Sequence, residues 1–301
     1  MNKVSIVICA LNNINFAHDC LSNLQDIRDA EFPDLRVIVL DQDSQDGTPE
    51  LIENEFPWVE LIRGENIGIS KSYNKGYVMT DSEYVLFLGM DAFPDKGTVS
   101  GMVEYMDSHT KAGAATSQLV LNSGKVDMDA HRSLPSPWIA FTRFTGLSSI
   151  FPKSPLFNKY FLAGRDMTKD HEVELCISHF LIVRRKVLDE LHGFDEDFFV
   201  FGEDVDFCYR LKRAGWKLMY VPQYSTRHTK GAVIGIRDTT RKLVKRPLKF
   251  RLKMRKLSTD AMEMFLRKHY FGKYPTIVVY LMIYSTRLLW LLRTAIEYLK
   301  R

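Results

Sequence analysis

Short apolar runs separated by amphipathic segments constrain the fold of this chain more than any other feature. Val4–Cys9, Leu35–Leu40 and Tyr84–Leu88 are rich in Val, Ile and Leu without polar alternation, the pattern of strands buried on both faces. Between them, Phe16–Ile27, Pro49–Phe56 after a Thr48 cap, and Ser70–Met79 carry apolar residues at helical spacing, and Val59–Ile62 reads as a further short strand. Strands alternating with helices predict an α/β fold with a mostly parallel central sheet and helices on both faces. At 301 residues, 46% of them hydrophobic, the chain can bury one large core and carry an appendage. The apolar start MNKVSIVICAL resembles a signal peptide superficially, but it lacks a small-x-small cleavage pattern and is better explained as a buried first strand.

Ligands of such sheets bind beyond the carboxyl ends of the strands, which singles out a few loops. After the second strand comes Asp41-Gln42-Asp43-Ser44-Gln45-Asp46-Gly47-Thr48. Asp46, Gly47 and Thr48 read as turn and cap chemistry. Asp41 ends the strand itself, where a carboxylate can accept the imide hydrogen of a pyrimidine or bond ribose hydroxyls. The segment ENIGISKSYNKGY supplies Asn66, Asn74 and glycines that permit close backbone approach, and contains neither G-x-G-x-x-G nor a P-loop. Nicotinamide enzymes and P-loop kinases are therefore disfavoured. The fourth strand ends in LFLGMDAFPD, delivering Asp91, an oxygen ligand of the kind Mg²⁺ or Mn²⁺ uses. His228, in YSTRHTKG, is either a structural histidine or a partner of Asp91 at a metal site. Four cysteines without a C-x-x-C pair suggest no zinc site and no disulfide framework, and fit a reducing compartment.

The densest chemistry lies in FGEDVDFCYRLKRAGWKLMYVP, Phe201–Pro222. Glu203, Asp204 and Asp206 fall in the first turn of a predicted helix whose apolar residues are Val205, Phe207, Cys208 and Leu211. Helix amides stabilise acids there, which is one reading. The other is a positioned general base with an acidic neighbour, since adjacent carboxylates beside bulky apolar groups repel and are costly to ionise.

Taken together, SIVICALNN, VIVLDQDSQDGT, ENIGISKSYNKGY, YVLFLGMDAFPD and the block from FLIVRR to the YSTRHTKG motif resemble the inverting glycosyltransferases of family 2 with the GT-A fold, in particular their rhamnosyltransferase-like branch. The resemblance spans roughly Lys3–Gly231, and the last block is its most specific part. It implies Asp204 as general base, with Glu203 as its acceptor-side partner. It also implies nucleotide-sugar contacts at Ala10, Asn12, Asp41, Asp43, Asn66 and Asn74, and a divalent metal, Mn²⁺ or Mg²⁺, at Asp91 and His228. Two departures stand out. Gly89-Met90-Asp91 lacks the first polar residue of the family's acidic element, which weakens metal binding. Ser178-His179 replaces residues that are commonly small, so that His179 is expected to narrow or alter the donor or acceptor pocket.

The activity implied is transfer of a sugar from a thymidine or uridine diphosphate donor, rhamnose among the candidates, to a glycan or lipid-linked acceptor with inversion, in cell-surface polysaccharide synthesis. A catalytically inactive nucleotide-sugar or glycan-binding relative is the alternative. The acceptor contacts are expected in the Pro- and aromatic-rich stretch Asp127–Arg165. A domain of residues 1–235 is expected to carry this chemistry, and residues 236–301 form a helical tail. Between Arg237 and Lys256 ten Lys or Arg face one Asp, so the basic character of a chain with formal net charge +4 belongs to the tail. With the apolar stretch Thr276–Leu292, this suggests attachment to an anionic membrane surface, peripheral on the cytoplasmic face. The uncharged run Tyr274–Thr286, at 13 residues, is short for a span. No nucleic-acid module surrounds the basic run, so no nucleic-acid partner is expected.

Overall fold

The computed structural model describes residues 2–229 and 247–299; the expected boundary at 235/236 and the first half of the basic run, from Arg237 to Arg246, lie outside the described residues. The chain opens with β1 (Val4–Ala10), α1 (Ile14–Ala30), β2 (Arg36–Gln42), α2 (Thr48–Glu55), β3 (Glu60–Gly64), α3 (Ile69–Val78) and β4 (Tyr84–Leu88). These are the seven elements read from the periodicity, each displaced by no more than three residues. There follow β5 (Ala92–Pro94), α4 (Thr98–Ser108), β6 (Ala112–Leu121), α5 (Pro137–Phe144), α6 (Leu147–Ile150), β7 (His171–Val173), β8 (Phe180–Arg184) and α7 (Arg185–Leu191). The last elements are α8 (Glu203–Arg213), β9 (Lys217–His228), α9 (Leu248–His269) and α10 (Thr276–Leu299).

Nine strands form one sheet in the order β3-β2-β1-β4-β8-β6-β9-β5, with β7 added along β9. From β3 to β4 it is parallel, as the helical crossovers require. Beyond β4 it is mixed, because β8 runs antiparallel to both β4 and β6, and β9 pairs parallel with β6 but antiparallel with β5. Two consequences follow for function. Ala10 lies beside Asp41 in the β1–β2 register, and Ala92 lies beside His228 in the β5–β9 register.

Both faces of β1 are covered, which explains its unbroken hydrophobicity. Ile6 and Ile8 join Leu21, Leu24 and Ile52 from α1 and α2 in one core layer. On the opposite face Val7 and Leu40 meet α3 at Gly76, where a Cβ would lie 2.4 Å from Val7 Cγ1. No side chain fits at that contact, so glycine is what seats α3 on the sheet. Phe87, Tyr73, Phe194 and Phe207 continue this layer as a ring cluster with centroids 4.7–5.3 Å apart.

By its contacts the chain divides into two compact units. The first runs to Arg132 and adds Asp166–Phe199 and the segment from Glu203; it holds the entire sheet. The second comprises Ser133–Arg165, Val200–Gly202 and the C-terminal helices. This grouping joins Ser133–Arg165, expected within residues 1–235, to the tail helices. The Tyr270 hydroxyl donates to the Pro135 carbonyl, and α5 packs on α10. Within this unit α9 and α10 are joined by Arg287–Glu263 at 2.7 Å and Arg255–Glu297 at 2.8 Å. Helix α10 spans 24 residues, well past the uncharged run, and is long and apolar enough to cross a membrane.

Candidate functional site

The carboxyl ends of β2 and β3 and the loop into α2 create a cleft of about 440 Å³ lined by Asp41, Asp43, Ser44, Gln45, Arg63 and Gly64, among others. Asp41 is buried; its Oδ1 accepts from the Ser44 amide at 3.0 Å, while its Oδ2 has no partner. A buried carboxylate oxygen without a partner is uncommon and costly, and a donor entering the cleft would satisfy it. Asn12 holds the loop in place: its amide donates to Ser44 Oγ at 2.8 Å, and its Oδ1 accepts from the Gln45 amide at 2.9 Å. Both Asn12 and Asp43 adopt positive φ, 55° and 65°. Such strain at non-glycine residues persists where surroundings over-determine it, often at ligand loops.

Asp46 and Thr48 play the structural parts expected, with one shift. The cap of α2 is Gly47 at φ 88°, and Thr48 is the first helical residue. Asp46 accepts from the Ile14 and Thr48 amides at 3.0 and 3.1 Å, and Thr48 Oγ1 accepts from Asn13 N at 3.0 Å, locking the β1 and β2 loops together. Burial works against ionisation of Asp46, but the Thr48 hydroxyl and these amides outweigh it and hold its pKa below the ordinary value.

Of the two asparagines, Asn66 is exposed and its Oδ1 accepts from the Gly68 amide at 3.2 Å. Asn74 points elsewhere. Its Nδ2 donates to Phe194 O and its Oδ1 accepts from Phe194 N, both at 2.8 Å, so this amide clamps the turn after α7 rather than presenting itself to a ligand.

The β4–β5 turn carries Asp91, buried and flanked by two histidines. His228 Nε2 lies 3.8 Å from Asp91 Oδ2, and His179 Nε2 lies 3.6 Å from Asp91 Oδ1. One ligand atom from each residue falls within 4.8 Å of the others. A divalent ion roughly 2.2 Å from each donor spans donors about 3 to 4.4 Å apart, so both Asp91–histidine separations fit and the full set closes on an ion with a small inward shift. Asp91 Oδ1 and His228 Nε2 are buried without hydrogen-bond partners, which a cation between them would remedy. His228 Nδ1 lies 2.9 Å from Asp127 Oδ2; with the proton on Nδ1, this orients the ring and leaves Nε2 as the ligand atom. Burial, and next the charge of His228, push the pKa of His179 down to about 4, keeping it neutral and its lone pair free near pH 7. The residues present therefore fit a divalent metal.

At the start of α8 the two adjacent acids diverge. Glu203 is buried, and burial followed by repulsion from Asp204 pushes its pKa up to about 8. Asp204 is also raised by burial, against the pull of Arg132, whose Nη2 is 3.5 Å from Asp204 Oδ2. Asp204 Oδ1 accepts from the Val205 amide at 2.8 Å. Asp206, the third acid, bonds Arg210 at 2.6 Å, and Arg210 in turn holds the carbonyls of Leu191 and Gly193, a purely architectural role. Burial pushes the Cys9 thiol of β1 up to about 12, against the pull of the Ser72 hydroxyl.

Sequence reasoning brought Asp41, Asp91, His228, Glu203 and Asp204 into consideration and missed three residues. Asp127 and Arg132 lie in a stretch without periodicity, and His179 was read as a pocket-shaping departure. A signal for His179 was present, since a histidine next to a strand opposite a glycine-bearing acidic turn has room to enter it.

Solved structures share this architecture. The chain is similar to the mannosyltransferase PcManGT from Pyrobaculum calidifontis in complex with GDP-Man and Mn²⁺, with TM-score 0.57 and 16% identity over 94% of this chain and 70% of that one. It is similar also to GalNAc-T7 with UDP, GalNAc and Mn²⁺, with TM-score 0.56 and 12% identity over 76% and 44%. The fold is thus that of a GT-A glycosyltransferase. The model of glycosyl transferase family 2 matches residues 5–192, and that of glycosyl transferase family group 2 matches residues 163–295. The chain belongs to glycosyl transferase family 2 and is a glycosyltransferase. Among curated relatives it is 28% identical over 211 residues to the N-acetylglucosaminyl-diphospho-decaprenol L-rhamnosyltransferase of Mycobacterium tuberculosis, 66% of this chain and 68% of that protein. It is 30% identical over 167 residues to the rhamnosyltransferase WbbL of Escherichia coli K12, 55% and 60% respectively.

Proposed function

We propose that this chain transfers L-rhamnose from a thymidine or uridine diphosphate donor to a hydroxyl of a lipid-linked glycan, with inversion, on the cytoplasmic face of a membrane. Sugar and acceptor class are suggested by the relatives, one of them named for a diphospho-decaprenol acceptor. What carries an active transferase over an inactive binding relative is the Asp91–His179–His228 cluster with its orphaned buried donors. Burying such donors unpaired is costly, and a divalent ion bound among them would offset that cost.

In this reading the open Oδ2 of Asp41 accepts from the base or ribose of the donor. Asp91 and the two histidines would hold a divalent ion, which when bound neutralises charge on the departing diphosphate. Asp204 takes the proton of the acceptor hydroxyl as its oxygen bonds to the anomeric carbon; the bond from that carbon to the diphosphate oxygen breaks on the opposite side. Burial raises its pKa and so favours taking up a proton, while the Arg132 guanidinium favours the carboxylate form. Glu203, protonated in its buried site, serves as a neutral neighbour that spares Asp204 a second negative charge.

The test is turnover of a panel of nucleotide sugars with a lipid-linked acceptor, with and without Mn²⁺, in wild type and Asp204→Asn. Metal-dependent transfer of one sugar, with the opposite anomeric configuration in the product, supports the reading. Tight donor binding without turnover in the wild type would favour the inactive relative.

A further inference from the structure

Gly89 and His179 occupy one volume. A Cβ built at position 89 would lie 2.8 Å from His179 Cδ2 and 3.0 Å from Asp91 Oδ1. The imidazole therefore stands in the space that any side chain at 89 would need. Backbone pairing fixes it there: Leu88 faces Phe180 in the β4–β8 register, and the Gly89 amide donates to His179 O at 3.1 Å. The ring packs against His228 with centroids 4.5 Å apart, so both imidazoles converge on the single carboxylate of Asp91. With its Nδ1 proton directed at Asp127, His228 turns a bare Nε2 toward the Asp91 carboxylate, and two lone-pair atoms gain nothing from one another unless a cation lies between them.

We propose that His179 is the third protein ligand of a divalent-ion site with Asp91 and His228, and that this two-imidazole, one-carboxylate set selects a transition-metal ion over Mg²⁺. Mg²⁺ demands oxygen ligands and dehydrates reluctantly, whereas imidazole suits the transition series. A single carboxylate also leaves more of the ion's charge uncompensated, to be met by an anionic ligand such as a diphosphate. Only that last point rests on the donor assigned above.

The experiment is electron spin-echo spectroscopy of Mn²⁺ bound to the full chain, with uridine or thymidine diphosphate, counting ¹⁴N-coupled imidazoles. Wild type is expected to show two. His179→Ala should show one and lose at least about tenfold in Mn²⁺ affinity. In Gly89→Asp/His179→Ala the new carboxylate enters the vacated volume, and competition should shift toward Mg²⁺ with one imidazole remaining. One imidazole or none in the wild type overturns the assignment, as does an unchanged nitrogen count in His179→Ala. Should His179→Ala fail to fold, judged by circular dichroism, the wild-type count decides alone. Diphosphate binding is titrated separately: two imidazoles without nucleotide affinity would sink the donor reading and leave this site standing, and nucleotide affinity with one imidazole would do the reverse.

Discussion

Glu203 and Asp204 are chemically near-identical neighbours separated by burial and by Arg132. Asp204→Asn keeps the shape and the Val205 contact but removes the proton acceptor, so kcat should fall by about 10²- to 10⁴-fold while donor affinity, read by calorimetry, stays within a factor of a few. Loss of donor affinity instead would make Asp204 a binding group. Glu203 gives a stability prediction with the opposite chemistry. Its folded pKa of about 8 exceeds the ordinary 4.5, so the folded state holds a proton that the unfolded state has lost. Its contribution is full below about pH 4.5 and drains away as pH rises through 8, at up to about 1.4 kcal/mol per pH unit. Glu203→Gln never ionises. Relative to wild type it should therefore gain stability steadily from pH 5 to 8 in denaturant melts, and a flat difference would show that Glu203 is ionised in the fold. His179 acts in the other direction, since a folded pKa of about 4 costs stability as pH falls below 6.5; comparing variant with wild type cancels it.

Helix α3 shows how an element depends on one missing side chain. Gly76→Leu forces side-chain atoms into the space of Val7 and Leu40 and should cost about 1–3 kcal/mol, read as a lowered melting temperature. Because α3 also carries Asn74, which clamps Phe194, the same variant should loosen the turn leading to α8 and raise its amide exchange. The parallel half of the sheet was legible because strands buried on both faces must be apolar throughout, and α3 and α8 because their faces repeat with helical period. Asp41, Asp91 and Asp204 were legible because strand ends and a helix start locate them without long-range information. Asn74 was misjudged for lack of such information: an amide in a glycine-rich segment reads alike whether it meets a ligand or a backbone turn 120 residues away. Asp127, Arg132 and His179 acquire their roles from partners 101, 72 and 88 positions distant, which periodicity does not encode. The mixed half of the sheet was hidden for a related reason, since β8 is apolar in either orientation and β9, KLMYVPQYSTRH, mixes polar and apolar residues without fixing its direction.

At the scale of the whole molecule, charge and apolarity are partitioned. The sheet-bearing unit buries most of its large hydrophobics, whereas the second unit leaves a row of them in the open: Ile277 is 67% exposed, Leu281 61%, Tyr284 59% and Leu288 43%, a stripe at helical spacing along α10. Phe141, Phe144, Ile150 and Phe151 of the α5–α6 region are exposed on the same unit. Contiguous apolar surface of this kind marks a contact with lipid or protein. Helix α9 adds the exposed cations Lys249 and Lys253, while Lys256 is paired with Asp260, Arg255 with Glu297 and the Arg267–Arg287 pair with Glu263. Uncommitted lysines beside an apolar stripe favour lipid, each contributing about 1 kcal/mol at an anionic surface. The full chain is therefore expected to co-sediment with phosphatidylglycerol vesicles, to bind phosphatidylcholine vesicles weakly, and to be released in part by salt as screening shortens the reach of the lysines. Leu281→Glu/Leu288→Glu should abolish vesicle binding yet leave transfer to a short water-soluble acceptor intact, since neither residue belongs to the sheet-bearing unit. Equal binding to both lipids would assign attachment to the stripe alone. No binding, with self-association that the double variant relieves, would make α10 a protein interface instead, and transfer to lipid-linked acceptor would then depend on a partner rather than on the bilayer.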